Sequence, residues 1–307
     1  MGDVPPVDAM TLPQWKGVFR RALKDIERNH SFAFASGLSY QFLMGLFPAL
    51  IALAAVVGYL PIPNLFQSIL DFMSRFVPAD SMGLVKGVVR DVITPNKGKL
   101  LSFGILGAIW AVSSGFAGIM EALNVAYDVP ETRPYWKSRL LAVLLSFQIG
   151  GLMVLAFTLM LVGPQFGEWL ANTFRVSTLW AYAWPYLRIV FSLVAVVLAV
   201  EVMYFAGPNV RQRFRHTVWG AVIAVSVWLL LSYGLGLYFR QVTHLNKTYG
   251  SLGGAVALMI WMQWTALALL LGAEVNSEIL KLSTGGEVLL KQERRKRLRT
   301  EQARKAA

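Results

Sequence analysis

Cysteine is absent from this 307-residue chain, which excludes disulfides, thiol nucleophiles and Cys-ligated zinc or iron–sulfur sites. Histidine is almost absent: His30, His216 and His244 are scattered, and no two have the spacing of metal ligands. Charge is scarce as well, at 15% of residues against about 25% in ordinary soluble domains. No phosphate-cradling glycine loop, no GxSxG nucleophile turn and no HExxH zinc helix occurs. A metallonuclease needs several ligands converging on one ion, and nothing in the sequence supplies them. The expectation is therefore no catalytic residue, no metal and no cofactor.

What is present is apolar. Hydrophobic residues make up 56% of the chain and the mean hydropathy is +0.52. Six runs reach membrane-spanning length, near 33–60, 100–120, 140–162, 185–206, 217–239 and 252–279. A soluble core helix rarely stays apolar for about 20 residues, so each run reads as a span. The first run follows a polar, basic segment and lacks a signal-peptide cleavage pattern, so it reads as an uncleaved span. Pro48 should kink it, and the second run keeps a helical pattern through Tyr127, projecting beyond the bilayer. The fold class expected is all-α: a polytopic integral membrane bundle of about six transmembrane helices with amphipathic interfacial helices. Its parts are an amphipathic segment 1–32, a membrane domain 33–280 with an outer amphipathic segment 61–99, and a basic tail 281–307.

Orientation follows from where the cations sit. With an even number of spans, one side holds 20 Lys and Arg and the other 8, with Arg188 inside a span. Positive charge favours the cytoplasm, which places both termini there. Trp180, Tyr182, Trp184 and Tyr186 cluster before the fourth span, as an aromatic belt at the opposite interface would. The expected location is a bacterial inner membrane, crossed several times.

Residues 11–30 carry Trp15, Val18, Phe19, Ala22, Leu23 and Ile26 on one helical face and Lys16, Arg20, Arg21 and Lys24 on the other. Such a helix either lies on an anionic membrane surface or packs on the rest of the protein. In the second span Gly104, Ala108, Ala111, Gly115 and Gly118 recur at steps of four and three, a seam that lets another helix approach closely. Gly250 with Gly254, and Ser232 with Gly236, repeat the small-xxx-small spacing.

Charges inside spans are costly and so informative. Glu201 lies near the inner end of the fourth span, and Glu274 and Glu278 lie one turn apart near the inner end of the sixth. Gln263 stands about three turns before Glu274 and shares its face. Two readings stay open. One is a polar cavity entered from the cytoplasm, lined by Gln263, Glu274, Glu278, Glu201, Asn276 and Tyr40. The other is a set of interfacial carboxylates paired with Arg133, Arg139, Arg211 or Arg213.

Ordered segments across residues 30–280 carry a resemblance: Ala35-Ser-Gly-Leu-Ser-Tyr40 to Leu46-Phe-Pro-Ala-Leu50; Trp110 to Gly115; Glu121-Ala-Leu-Asn-Val-Ala-Tyr127; Arg133-Pro-Tyr-Trp136; Pro208-Asn209; Thr248 to Gly253; and Leu271-Gly-Ala-Glu-Val-Asn276. Together they resemble the YihY/BrkB family of bacterial inner-membrane proteins, once labelled ribonuclease BN-like. Lys247 and Gly254 depart from its pattern. The resemblance implies a six-helix membrane protein and suggests handling of an envelope lipid or another amphipathic substrate. A non-catalytic scaffold of an envelope complex is the alternative. Expected partners are membrane lipids, anionic headgroups at the basic face, and a second copy or an envelope-complex component, with no specific nucleic acid.

Overall fold

A computed structural model describes residues 12–59, 98–161, 178–241 and 251–283, together with 163, 165–167 and 170. Every regular element among them is an α-helix. Their order is α1 (Leu12–Arg28), α2 (Ser31–Tyr59), α3 (Gly98–Ala126), α4 (Tyr135–Leu161), α5 (Thr178–Ala206), α6 (Phe214–Gln241) and α7 (Ser251–Ser283). The all-α expectation is borne out, because hydrocarbon tolerates only backbone that satisfies its own hydrogen bonds. Five helices, α3 to α7, contain stretches long and apolar enough to cross a membrane. The remaining run, the first of the six, is α2, whose 29 residues extend about 43 Å at 1.5 Å per residue, against about 30 Å of hydrocarbon. The segment 61–97, residues 242–250 with Lys247 and Gly250, and most of the basic tail lie outside the described residues.

Helix neighbours close a ring. In order round it, α2 packs on α3, α3 on α4, α4 on α5, α5 on α6, α6 on α7, and α7 back on α2. Helix α1 lies outside the ring against α7 and touches α2. The main buried cluster sits at one end: Ala35 and Leu38 of α2, Ile119 to Ala126 of α3, Ala142 and Leu145 of α4, Met203 and Tyr204 of α5, Ala221 and Ala224 of α6, and Ala266 to Leu280 of α7. This end, called the clasp end below, carries α1 and the α3–α4 and α5–α6 connections. Eight of its nineteen buried residues are alanine, which suits helix association in lipid, where close packing replaces hydrophobic expulsion from water.

The amphipathic stripe of α1 is divided. Val18 and Ala22 are buried against Val275 and Ile279 of α7, while Phe19 and Leu23 remain exposed. Trp15 meets Trp219 of α6 edge to face at 5.4 Å. Packing on the protein thus takes one edge of the stripe and leaves the other edge open, beside Lys16 and Arg20.

Two helix ends are set by left-handed residues other than glycine. His30 (φ 51°) turns the chain from α1 into α2, and Asp128 (φ 53°) ends α3. At the second, Val129 N–H bonds the carbonyl of Asn124 at 2.8 Å and Asp128 N–H that of Val125 at 3.0 Å. This is the Schellman pattern, usually completed by glycine. An L-residue there costs roughly 1–2 kcal/mol; what the position gains is a carboxylate aimed at α1 and α7.

Candidate functional site

The polar residues of the α7 terminus meet α1 in a single clasp. Arg21 reaches Glu278 at 2.5 Å. Lys281 stands among three carboxylates, with Glu278 at 2.9 Å, Asp128 at 3.0 Å and Asp25 at 3.3 Å. Arg28 bridges Asp25 at 3.2 Å and Asp128 at 3.0 Å. Glu274 is fully buried; its Oε1 accepts Asn29 Nδ2 at 2.9 Å and faces Ser31 Oγ at 3.5 Å. Its Oε2 is buried with no hydrogen-bond partner among the described residues. Four carboxylates therefore face three cations, and the carboxyl left over is the one with an unpaired oxygen. A carboxyl in that position is expensive to keep charged unless it is paired.

A second cluster ties the two connections at the same end. Asn124, buried on α3, accepts the Asn209 backbone N–H at 2.7 Å and donates to Glu131 at 2.9 Å. Arg133 grips both Glu131 oxygens, at 2.9 and 2.8 Å, and donates to the Gly207 carbonyl at 2.8 Å. Asn209 Nδ2 is shared between the Pro130 carbonyl and Thr132 Oγ1, at 3.0 and 2.7 Å. Partial burial acts to raise the Glu131 carboxyl, but hydrogen bonds from Arg133 and Asn124 and the guanidinium charge outweigh it and hold the group below its ordinary value. This latch fixes where α3 ends and α4 and α6 begin.

Asn276 points away from Glu274, because two helical residues differ by about 200° in direction. Its Oδ1 accepts Gly220 N–H and its Nδ2 donates to the Thr217 carbonyl, both at 2.9 Å. A side chain at Gly220 would strike the Gly272 carbonyl, and one at Gly272 would strike the Gly220 carbonyl and the Tyr204 hydroxyl. Tyr204 in turn donates to the Leu269 carbonyl at 2.5 Å. The α6–α7 crossing is thus a glycine-to-glycine contact locked by Asn276. Further along the same pair, Trp228 donates to Thr265 at 3.2 Å and Trp261 to Ser232 at 3.1 Å.

The single polar stripe expected on α7 is therefore split among three interfaces. Glu278 faces α1, Glu274 faces the α1–α2 turn and the first residue of α2, Asn276 faces α6, and Gln263 donates to Ser36 of α2 at 2.9 Å. Tyr40 is exposed on α2, Glu201 is buried on α5, and the Glu201 Oε1 has no hydrogen-bond partner among the described residues. The alternative pairing needs correction too: Glu278 takes Arg21 and Lys281, whereas Arg133 serves Glu131 and Arg139 binds the Trp110 carbonyl at 2.7 Å and Ser114 at 3.0 Å. Helix α7 also runs to Ser283, so Lys281 belongs to the clasp and not to the basic tail expected from residue 281. Of the α3 seam, Ala111, Gly115 and Gly118 face Gly45, Phe42 and Gln41 of α2. The side chains of Gly104 and Ala108 lie outside the described residues. Gly254 is half-buried, and Gly236 faces open space.

The decisive glycines at the α6–α7 crossing carry a weak sequence signal: Gly220 with Ala224 and Ala268 with Gly272 have small-xxx-small spacing. The α1 members of the clasp carry none, since Asn29 and Arg21 lie 245 and 257 residues from their partners.

A family model described as Virulence factor BrkB matches residues 22–297. The chain is 31% identical over 244 residues to a ribonuclease-like protein, YfkH, of Bacillus subtilis (strain 168), covering 80% of this chain and 88% of that one. It is 25% identical over 257 residues to a UPF0761 membrane protein of Stenotrophomonas maltophilia (strain R551-3), covering 81% of this chain and 57% of that one. A UPF0761 membrane protein of Xanthomonas oryzae pv. oryzae (strain PXO99A) is 25% identical over 298 residues, covering 91% of this chain and 66% of that one. The chain thus spans less than two thirds of the length of the UPF0761 relatives. No solved structure matches.

Proposed function

We propose, from the premise that this chain belongs to the BrkB family of membrane proteins, that it handles an amphipathic envelope lipid at the bacterial inner membrane and that α1 is the clasp closing its cytoplasmic end. The observation that carries the reading is Glu274. A buried carboxyl with one unpaired oxygen, held by the α1–α2 turn, is a polar group kept inside a membrane bundle at a cost, and such groups mark pathways more often than packing. Lifting α1 would uncover Glu274 and Glu278 together, because both bind residues of α1 or its turn. The open edge of α1 supports the lipid part of the reading: exposed Phe19 and Leu23 beside Lys16 and Arg20 suit the inner leaflet and its anionic headgroups. The charge bias of 20 to 8 supports a cytoplasmic clasp end.

The test is the full chain in proteoliposomes with fluorescent phospholipid. Protein-dependent movement between leaflets, faster in Arg21→Ala, supports the proposal; no movement across a broad lipid panel defeats it. Because the chain has no cysteine, single Lys24→Cys and Tyr186→Cys variants report orientation directly. The first should label only from the cytoplasm and the second only from outside.

A scaffold subunit is the second reading, favoured by the tightly filled core at the clasp end. It predicts co-purification with an envelope complex and no lipid movement. The ribonuclease-like label of the Bacillus relative finds little here: among the described residues no three His, Asp, Glu or Cys side chains are grouped to hold a metal ion.

A further inference from the structure

Far from the clasp, α5 carries a cation that no carboxylate neutralises among the described residues. Arg188 is half-buried, and its Nε and Nη1 are buried with no hydrogen-bond partner among the described residues. A guanidinium has five donors and stays protonated, so it cannot escape burial by losing its charge. Inside a membrane span a cation is held by a counter-charge, by carbonyls or by reaching the headgroups. No carboxylate pairs with it among the described residues, in contrast to Arg21, Arg28, Arg133 and Lys281, all of which are paired.

The surroundings give its depth. Arg188 lies six residues into the apolar stretch Tyr182–Ala206, about 9 Å along the helix from Tyr182. One turn above it, Trp184 donates to the Gly163 carbonyl at 2.5 Å. Trp184 also stacks on Trp180, with centroids 5.1 Å apart, and tilts against Phe166 at 5.7 Å. Tyr182 and Tyr186 are exposed. This is an aromatic belt of the kind that sits at the headgroup level, and an arginine stem reaches from just below it to the same level. Gly163 makes that path: a side chain there would press on the Arg188 stem, its Cβ 3.2 Å from Arg188 Cδ.

We propose that Arg188, beside Gly163 and one turn below the Trp180–Trp184 ledge, binds the phosphate of a phospholipid in the leaflet opposite the clasp. Phosphate is an anion that a guanidinium recognises by charge-assisted hydrogen bonds, and it is the anion present at that depth in any phospholipid leaflet; the buried Nε and Nη1 reach it as the long stem turns toward the headgroups. The site does not require lipid to be moved; a chain inactive in transport can still hold a lipid here.

The purified full chain would be exposed in detergent to phosphatidylglycerol, to diacylglycerol with the same acyl chains, and to inorganic phosphate, with retention read by native mass spectrometry. The wild-type chain should retain phosphatidylglycerol over diacylglycerol, and Arg188→Gln should weaken retention of one phosphatidylglycerol equivalent by about tenfold or more, with Arg188→Lys in between. Excess inorganic phosphate that displaces this equivalent would assign the site to the free anion and overturn the lipid source. Equal retention of both lipids by the wild-type chain, or full retention by Arg188→Gln, overturns the proposal. Should Arg188→Gln fail to fold, the wild-type chain in lipid bilayers decides. Solid-state NMR must then show a dipolar contact between guanidinium nitrogen and lipid phosphorus, and its absence overturns the site.

Discussion

The latch and the clasp share one end of the helix ring and draw on the same residue types, yet they differ in how completely they are paired. In the latch, Asn124, Glu131, Arg133 and Asn209 each have partners within 3 Å. Its glutamate serves one arginine in two-pronged fashion, the strongest form of such a pair. In the clasp, Lys281 serves three carboxylates and Glu274 is left with one oxygen unpaired. A fully satisfied polar network specifies one arrangement, whereas a partly satisfied one holds its arrangement weakly. On the proposed function, the same end of the molecule combines a fixed joint with a releasable one.

The sharpest way to break this comparison is to damage the latch. Asn124→Ala strands the Asn209 N–H and removes the buried partner of Glu131. Unsatisfied buried groups cost about 1–3 kcal/mol each, so the loss should be about 2–4 kcal/mol. The thermal midpoint in detergent should fall by several degrees, while the folded fraction keeps the lipid movement of the parent. A midpoint unchanged within error would show that the latch is not the fixed joint.

How much of this was legible beforehand depends on the range of the force involved. The helices were readable because hydrocarbon imposes a local rule on about 20 consecutive residues. The α7 carboxylates were readable because a charge in an apolar run is conspicuous. Their partners were not, because Asn29 belongs to the turn after α1, and Arg21 and Asp25 to a helix whose basic face looks like any surface helix until Val18 and Ala22 find Val275 and Ile279. The polar stripe misled for a related reason. Common spacing along α7 fixes a direction, but which neighbour stands there is a property of the ring, and Gln263 met α2 where Glu278 met α1. The latch motifs, Asn124, Arg133 and Asn209, were legible as residues of the family resemblance and not as one cluster, since only folding brings the two connections together.

A smaller effect tests the latch through pH. Glu131 sits below its ordinary value of 4.5 in the folded chain, so the folded state binds the proton less readily than the unfolded state does. Its contribution is complete above that ordinary value and is lost as pH falls through the lower folded value. Glu131 is a third exposed, so solvent screening holds the contribution below about 1 kcal/mol. The thermal midpoint should decline below about pH 4.5 more steeply in the parent than in Glu131→Gln. Parallel declines would remove Glu131 from the account.

The smallest expected change in stability separates the two clusters best. In Glu274→Gln the amide oxygen still accepts Asn29 Nδ2, and the amide nitrogen takes the place of an oxygen that has no partner among the described residues. A volume-conserving change that exchanges one unpartnered buried atom for another should leave stability within about 1 kcal/mol of the parent. A glutamate kept only for packing would be replaced without consequence. If it is kept because the clasp must open and close, an amide that cannot take up or give off a proton should hold the clasp in one state. Lipid movement should then fall to the protein-free rate while the thermal midpoint holds. A variant that melts like the parent and moves lipid like the parent would mark Glu274 as a packing residue, and the difference between clasp and latch would reduce to one of neatness.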